Sequence, residues 1–214
     1  MKINYNKTKV ITFNPCTSLD FMPGMTFEGK NLEVVNEIKL LGLTLRSDMK
    51  WTSNTQNMII KANKKLWILR RLKKLGAKVT DLVEVYTKQI RCILELAAPA
   101  WQGSITQAER ISLERVQKCA CYIILGNDYI SYRNALTALN LESLETRRKR
   151  LSRKFAIKAS KHSKFKAWFK LNDHHINTRQ EKSRFCEVKA NHARYKNSAL
   201  SYLTKILNEH HKQL

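Results

Sequence analysis

The chain has 214 residues, 43% of them hydrophobic, which is enough for one domain of ordinary size or a small subdomain beside a helical one and excludes wholesale disorder. Forty Lys and Arg stand against 17 Asp and Glu, a net charge of +23, more than solubility requires. The expected partner is a polyanion, nucleic acid first and an anionic membrane surface second. Charge of this kind names a partner class and no activity.

The excess is uneven. Residues 51–100 hold ten Lys and Arg against three acids and residues 141–214 hold nineteen against six, while 1–50 and 101–140 are nearly balanced. The five cysteines (Cys16, Cys92, Cys119, Cys121, Cys186) are odd in number and scattered. The opening Met1-Lys2-Ile3-Asn4 leads into polar residues rather than an apolar leader, and no run approaches the ~18 apolar residues of a membrane span. A reduced, intracellular protein with no membrane association is expected. Cys119 and Cys121 have one spacer between them inside an apolar helical pattern, which points to core packing rather than zinc.

The first 50 residues carry strand signals. Val10 to Phe13 is a short β-branched and aromatic run, and Pro15 with Pro23-Gly24 punctuates the loop after it. Met25 to Phe27 and Leu32 to Val35 flank Glu28-Gly29-Lys30-Asn31, a hairpin-turn sequence, and Ile38 to Leu45 is a fourth strand candidate. So few short strands need helices to pack against.

From Trp51 the period changes from two to 3.6. Ile59, Ala62, Leu66, Leu69 and Leu72 share one helical face, with Thr52 or Ser53 as cap and Gly76 as C-terminal stop. A second helix is predicted over about 80–97, with Val83, Tyr86, Ile90 and Ile93 inward and Pro99 marking its end. Thr106 and Glu109 form a capping-box pattern for a third, with Leu113, Val116, Ala120 and Ile123 or Ile124 inward and Gly126 closing it. A short helix over about 131–139 starts at Ser131 and buries Ala135 and Leu139. A long one starts at Ser143 and is predicted to reach about Lys170, with Leu144, Leu151, Phe155 and Ala159 on one side and mostly Lys and Arg on the other. Leu200, Leu203, Ile206 and Leu207 mark a short final helix. The predicted class is α+β, mainly α: a small antiparallel β segment followed by a bundle of about five helices.

In order and spacing, these pieces resemble the C-terminal part of a non-LTR retrotransposon reverse transcriptase of the jockey type. The stretches that carry the resemblance begin with Lys7-Thr8-Lys9-Val10-Ile11-Thr12-Phe13 and Lys39-Leu40-Leu41-Gly42-Leu43-Thr44-Leu45 with Trp51 shortly after. Arg70-Arg71-Leu72, Glu95 to Trp101, Leu113 to Lys118, Ile124-Leu125-Gly126 and Tyr132 to Leu136 follow. Leu144 to Arg148 and Ser198 to Asn208 complete the set, which spans about residues 5 to 208. The resemblance implies three parts: 1–50 as the end of the palm with a primer-grip hairpin at Leu40 to Leu45, 51–140 as a helical thumb, and 141–214 as a basic C-terminal extension. It also implies RNA and DNA partners in the form of a template–primer duplex, an upstream palm and fingers, no small-molecule substrate, and action in the nucleus on a chromosomal target.

The family's two-metal chemistry needs clustered carboxylates, which come from a palm Asp and a Tyr-x-Asp-Asp turn. That turn lies further upstream of the Lys-Thr-Lys element than this chain extends. The five aspartates here, Asp20, Asp48, Asp81, Asp128 and Asp173, include no adjacent pair. The expectation is therefore a C-terminal piece of a longer element that binds nucleic acid without catalysing: no catalytic residue, no metal ligand and no cofactor of its own, with magnesium belonging to the full-length family enzyme. A self-standing basic RNA- or DNA-binding module and an inert remnant are the alternatives. The family often has an aromatic residue and Gly where this chain has Leu96-Ala97.

Several residues carry a binding reading beside a plainer one. The resemblance implies that Lys7 and Lys9 meet phosphates; otherwise they are solvated charges flanking an edge strand. Gly42 lets backbone approach a primer end, or serves a bend. Arg70, Arg71, Lys73 and Lys74 cluster at one helix end, where they contact a phosphate backbone or simply favour the helix dipole. Arg147, Arg148, Lys149, Arg150, Arg153 and Lys154, continued by Lys158 and Lys161, form the densest basic segment; such a surface grips phosphates without reading bases. A nuclear localisation signal, a membrane-surface helix and a solvated face are the other readings of that segment. Among the aromatic residues, Trp67 and Trp101 are expected in the core, whereas Trp168 and Phe169 are open to a stacking role. His174, His175, Cys186, His192, His210 and His211 fit no zinc spacing.

Overall fold

The computed structural model describes residues 4, 7–13, 25–27, 29–172, 184–187, 189, 191 and 193–211. The expectations placed on Pro15, Cys16, Asp20, Pro23, Gly24, Glu28, Asp173, His174, His175 and His192 lie outside the described residues. Helices dominate, with short strands near the N-terminus, so the α+β, mainly α class holds.

Among the described residues, the strands form three two-stranded pairings. β1 (Lys9–Val10) runs parallel to β4 (Glu33–Val34); this departs from an antiparallel segment throughout. β2 (Thr26–Phe27) pairs antiparallel with β3 (Lys30–Asn31), in register Thr26↔Asn31 and Phe27↔Lys30. Lys30 and Asn31, expected in the turn, are therefore strand. Glu33 and Val34 pair with β1 instead.

The predicted strand from Ile38 to Leu45 is a hairpin: β5 (Glu37–Leu40) and β6 (Leu43–Arg46) pair antiparallel from Glu37↔Arg46 to Leu40↔Leu43. Leu41 and Gly42 are the two turn residues, at φ +48° and +86°. Positive φ at both central positions is the turn whose twist matches a two-stranded ribbon, and glycine adopts it without Cβ strain.

The hairpin is seated on α1 (Thr52–Lys74) by polar contacts of buried Thr44. Its N–H donates to Asn54 Oδ1 at 3.0 Å, and Asn57 Nδ2 donates to its Oγ1 at 3.1 Å. Neither Thr52 nor Ser53 caps this helix. Trp51 holds the cap position without a side-chain bond, and Ser53 Oγ accepts instead from Arg46 at 3.4 Å. The C-terminal stop is as predicted. Gly76 has φ +80°, and the Gly76 and Ala77 N–H groups donate back to Lys73 O and Leu72 O, both at 3.1 Å, the Schellman arrangement.

The second helix is interrupted in kind. α2 (Val79–Val85) widens into a π-helical turn over Tyr86–Arg91 before α3 (Cys92–Glu95). Its buried residues are Leu82, Tyr86, Ile90 and Leu94, spaced by four. A regular 3.6 period favours Val83 and Ile93, which are only half-buried; the wider π turn slows the rotation and keeps every fourth residue in line. The chain breaks at Leu96 and Ala97 before Pro99, which sits in the first turn of α4 (Ala98–Trp101).

α5 (Gln107–Leu125) carries the predicted capping box. Glu109 N–H donates to Thr106 Oγ1, and Thr106 N–H donates to Glu109 Oε2 at 2.7 Å. It is the main partner of α1. Their interface buries Met58, Ala62, Leu66 and Leu69 with Leu113, Val116, Ala120, Cys121 and Ile124, each large aliphatic worth roughly 1.5–3 kcal/mol. α6 (Tyr132–Ala138) begins at Ser131, whose Oγ accepts from Asn134 N–H, and Ala135 and Leu139 join that core.

α7 (Leu144–Lys161) starts as predicted, with Ser143 Oγ accepting from Thr146 N–H, but ends nine residues before Lys170. His162 turns extended, and its Nδ1 accepts from Lys164 N–H at 3.2 Å, a local side-chain bond that competes with helix continuation. Leu144 belongs to the first core, while Ala156 and Ala159 join a second with Phe169, Phe185, Leu203 and Leu207. Phe155, expected inward, is 41% exposed. α8 (Ala193–Lys196) and α9 (Ala199–His211) complete the fold, with α9 packed along α7. Asn208 ties the tail down: its Oδ1 accepts from Phe185 N–H at 3.0 Å and its Nδ2 donates to Phe185 O at 3.1 Å. Among the described residues, no helix is long and apolar enough to cross a membrane.

Candidate nucleic-acid interface

The densest basic run does not present itself as a free surface. Arg147 pairs with Glu95 of α3, which also meets Arg91. Arg148 is fully buried: its Nε donates to Gln102 Oε1 at 2.7 Å, and its guanidinium lies over the Trp101 ring, 5.6 Å from the centroid. Burial holds its pKa below the usual arginine value. Lys149 pairs with Glu209 of α9 at 3.1 Å, and Arg150 grips Glu142 at 2.8 and 3.2 Å. Arg153 is half-buried, and only Lys154 of the six stands exposed without an ion pair among the described residues. Four consecutive cations thus join α7 to its neighbours, because the buried face of this helix passes through Arg148 and Ser152, not Leu151 and Phe155.

The N-terminal candidates lie apart from that run. Lys7 is exposed, and Lys9 pairs with Glu33 across β1 and β4 at 3.1 Å. The space beside Gly42 is taken up by the chain itself: a Cβ built there would lie 3.1 Å from Leu96 Cδ2. Its conformation serves the hairpin turn, and the side a Cβ would occupy is closed by Leu96.

α1 is different. Over 23 residues it carries Lys61, Lys64, Lys65, Arg70, Arg71, Lys73 and Lys74 and no Asp or Glu. Lys73 turns inward to donate to Ile124 O at 2.8 Å, at the carbonyl end of α5, and Lys65 donates to Gln89. Lys61, Lys64, Arg70, Arg71 and Lys74 are exposed, and none takes part in an ion pair among the described residues. Trp67, expected in the core, stands 60% exposed among them. Steps of about 100° put it roughly 100° from Leu66 and 200° from Leu69, on the outer side of the helix. Arg71 Cζ lies 5.7 Å from its ring centroid. Ile60, Lys64, Trp67, Arg71 and Lys74 recur every three or four residues and form one stripe about 21 Å long.

Sequence reading located Arg70, Arg71 and Lys74 on this face but missed Lys61, Lys64 and Trp67. The signal was available: 23 helical residues with seven cations and no acid are one-sided in charge, and the position of Trp67 follows from the angular step. Trp101 is core as expected, its Nε1 donating to Leu96 O at 2.8 Å. Trp168 is half exposed, whereas Phe169 is buried in the second core. Trp168 borders an apolar groove of about 640 Å³ with Pro99, Phe155, Leu200 and Leu203; its lining offers no cation to a phosphate. Cys121 is buried and Cys119 half-buried, as packing residues are.

Among the described residues, no three His, Cys, Asp or Glu side chains gather as a metal site. Asp48 is held by Arg46 and Lys50 after β6, Asp81 lies in the first turn of α2, and Asp128 follows α5. No family model, no curated protein and no solved structure matches the chain.

Proposed function

We propose that this chain grips nucleic acid without catalysing, as the thumb side and C-terminal extension of a jockey-type reverse transcriptase, and that the outer face of α1 holds the template–primer strand by its phosphates. One observation carries the reading: α1 has seven cations and no acid, and five of those cations are exposed and free of ion pairs among the described residues. Phosphates are common to RNA and DNA, so either strand suits the face. The tight hairpin over Leu40 to Leu45 packs on the same helix, in keeping with a primer-grip element beside a thumb. Ala97 adopts φ +48° where the resembled family often has glycine.

The test is the dissociation constant for a primer–template duplex at low and at fourfold higher salt. Five phosphate contacts predict a loss of roughly 10²–10³-fold, and replacing Lys64, Arg70, Arg71 and Lys74 with Gln should flatten most of that dependence. Salt-independent binding, or binding unchanged by the four substitutions, overturns the reading. Primer extension with magnesium should yield no product; a product would overturn the non-catalytic part. Coding sequence upstream of Met1 that reads in frame into a Tyr-x-Asp-Asp turn would support the polymerase connection, and a stop codon immediately upstream would count against it.

A further inference from the structure

We infer that the outer face of α1 takes unpaired nucleotides, with a base stacked on Trp67 and the flanking phosphates held by Lys64 and Arg71. This rests on the nucleic-acid reading above and goes further, because a phosphate grip alone needs no aromatic residue. Trp67 is 60% exposed in a helix most of whose large apolar side chains pack inward: Met58, Leu66 and Leu69 are buried, Ile59 and Leu72 pack against the same core, and Ile60 alone shares the exposed face with the indole. Among the described residues, Trp67 belongs to neither hydrophobic core. Lys64 precedes it by three residues and Arg71 follows by four, about 4.5 and 6 Å along the helix axis. Those steps exceed the 3.4 Å rise of a stacked strand and suit one opened to admit a ring. Arg71, already against the ring, adds a cation to the same stack.

The charge around the indole selects the partner. Exposed Lys61, Lys64, Arg70, Arg71 and Lys74 surround it, and α1 supplies no carboxylate to repel a phosphate. A membrane surface fits less well. The only large apolar side chains exposed on this helix are Ile60 and Trp67, with cations between them, too little apolar area to enter a headgroup layer. Aromatic stacking framed by cations is the usual means of holding single strands without reading their sequence.

The experiment compares W67A, W67F and the parent chain on a single-stranded oligouridylate, an abasic strand of equal length, a blunt duplex and phosphatidylserine vesicles. W67A should weaken the oligouridylate roughly ten- to a hundredfold, leave the abasic strand and the duplex within about twofold, and keep the salt slope. W67F should retain most of the affinity. Far-ultraviolet circular dichroism of W67A should match the parent, since the ring is exposed. Equal weakening on all three nucleic acids, or none, overturns the stacking role while leaving the phosphate grip intact. Salt-independent binding to every strand would instead remove the underlying reading. Tighter binding to vesicles than to oligouridylate, lost in W67A, would assign the face to a membrane and overturn the proposal.

Discussion

Arg148 Nε donates to Gln102 Oε1 at 2.7 Å in the interior, and this bond takes the centre of the chain's densest basic run out of reach of any partner. The guanidinium stacks on Trp101, and its two terminal nitrogens have no hydrogen-bond partner among the described residues. A buried cation so lightly compensated packs a gap more than it stabilises through charge.

Arg148→Met should therefore cost far less than Arg148→Ala. Both variants take the donor from Gln102 Oε1, but truncation also opens a cavity, for a loss of about 3 kcal/mol or more, whereas Met refills most of the volume without a charge to desolvate. Urea unfolding of both variants measures the difference. Arg148→Met as damaging as Arg148→Ala would show that the charge itself holds the helix. Neither variant, once folded, should change the affinity for nucleic acid.

Gly42 and Ala97 should respond with opposite signs. Gly42→Ala places a Cβ at φ +86°, 3.1 Å from Leu96 Cδ2, and should destabilise by about 1–2 kcal/mol. Ala97→Gly removes a Cβ from φ +48° at an exposed position, so strain is relieved and no burial is lost; the net gain should be up to about 1 kcal/mol after glycine's entropy is counted. Thermal melts of the two variants should move apart, and a destabilising Ala97→Gly would contradict the assignment of a left-handed break there.

Gln117 joins three elements and should be hard to replace. Fully buried on α5, its Oε1 accepts from Tyr86 Oη, and its Nε2 donates to Tyr132 Oη at 2.9 Å and to Glu142 O at 2.8 Å. Tyr132 Oη in turn donates to Glu114, which also accepts from Leu144 N–H at the start of α7 at 3.0 Å. Gln117→Leu leaves two hydroxyls and a carbonyl short of partners and should cost about 2–4 kcal/mol. Removing Tyr86 Oη as well, by Tyr86→Phe, should recover part of the loss in a double-mutant cycle; strict additivity would show that no network exists.

The helices were legible because their signals are local: the capping box at Thr106, the stop at Gly76, the serine caps at Ser131 and Ser143. What escaped was set by tertiary context. Leu94 is buried because a π turn changes the period, and no local composition announces that turn. Arg148 is buried because Gln102 and Trp101 wait on another helix, whereas a run of Arg147 to Arg150 read alone looks like surface. The Leu41-Gly42 turn divided what alternation alone presents as one strand. At the interface, Arg70, Arg71 and Lys74 were found by clustering, and Trp67 was missed because hydrophobicity was given more weight than its angular position.

Stability should fall as the solution becomes alkaline. Burial pushes the Cys121 thiol up to about 12 from an ordinary 9.0, and burial also raises the Tyr86 phenol well above its usual value and, with the Glu114 bond, that of Tyr132. Between about pH 9 and 12 the unfolded chain has lost the Cys121 proton that the folded chain keeps, so unfolding releases a proton and is favoured as pH rises. The stability this thiol contributes is fully present below about 9 and declines by about 1.4 kcal/mol per pH unit within that window, with the tyrosines adding to the slope above their ordinary value. Urea midpoints followed from neutral to alkaline pH should show the decline, and Cys121→Ala should be less stable at neutral pH yet flatter as the tyrosine range is approached. Alkylation of the folded chain should modify exposed Cys92 and Cys186 and spare Cys121 until it unfolds. A urea midpoint that stays level through this window would place Cys121 in contact with solvent and contradict the packing of α5 against α1.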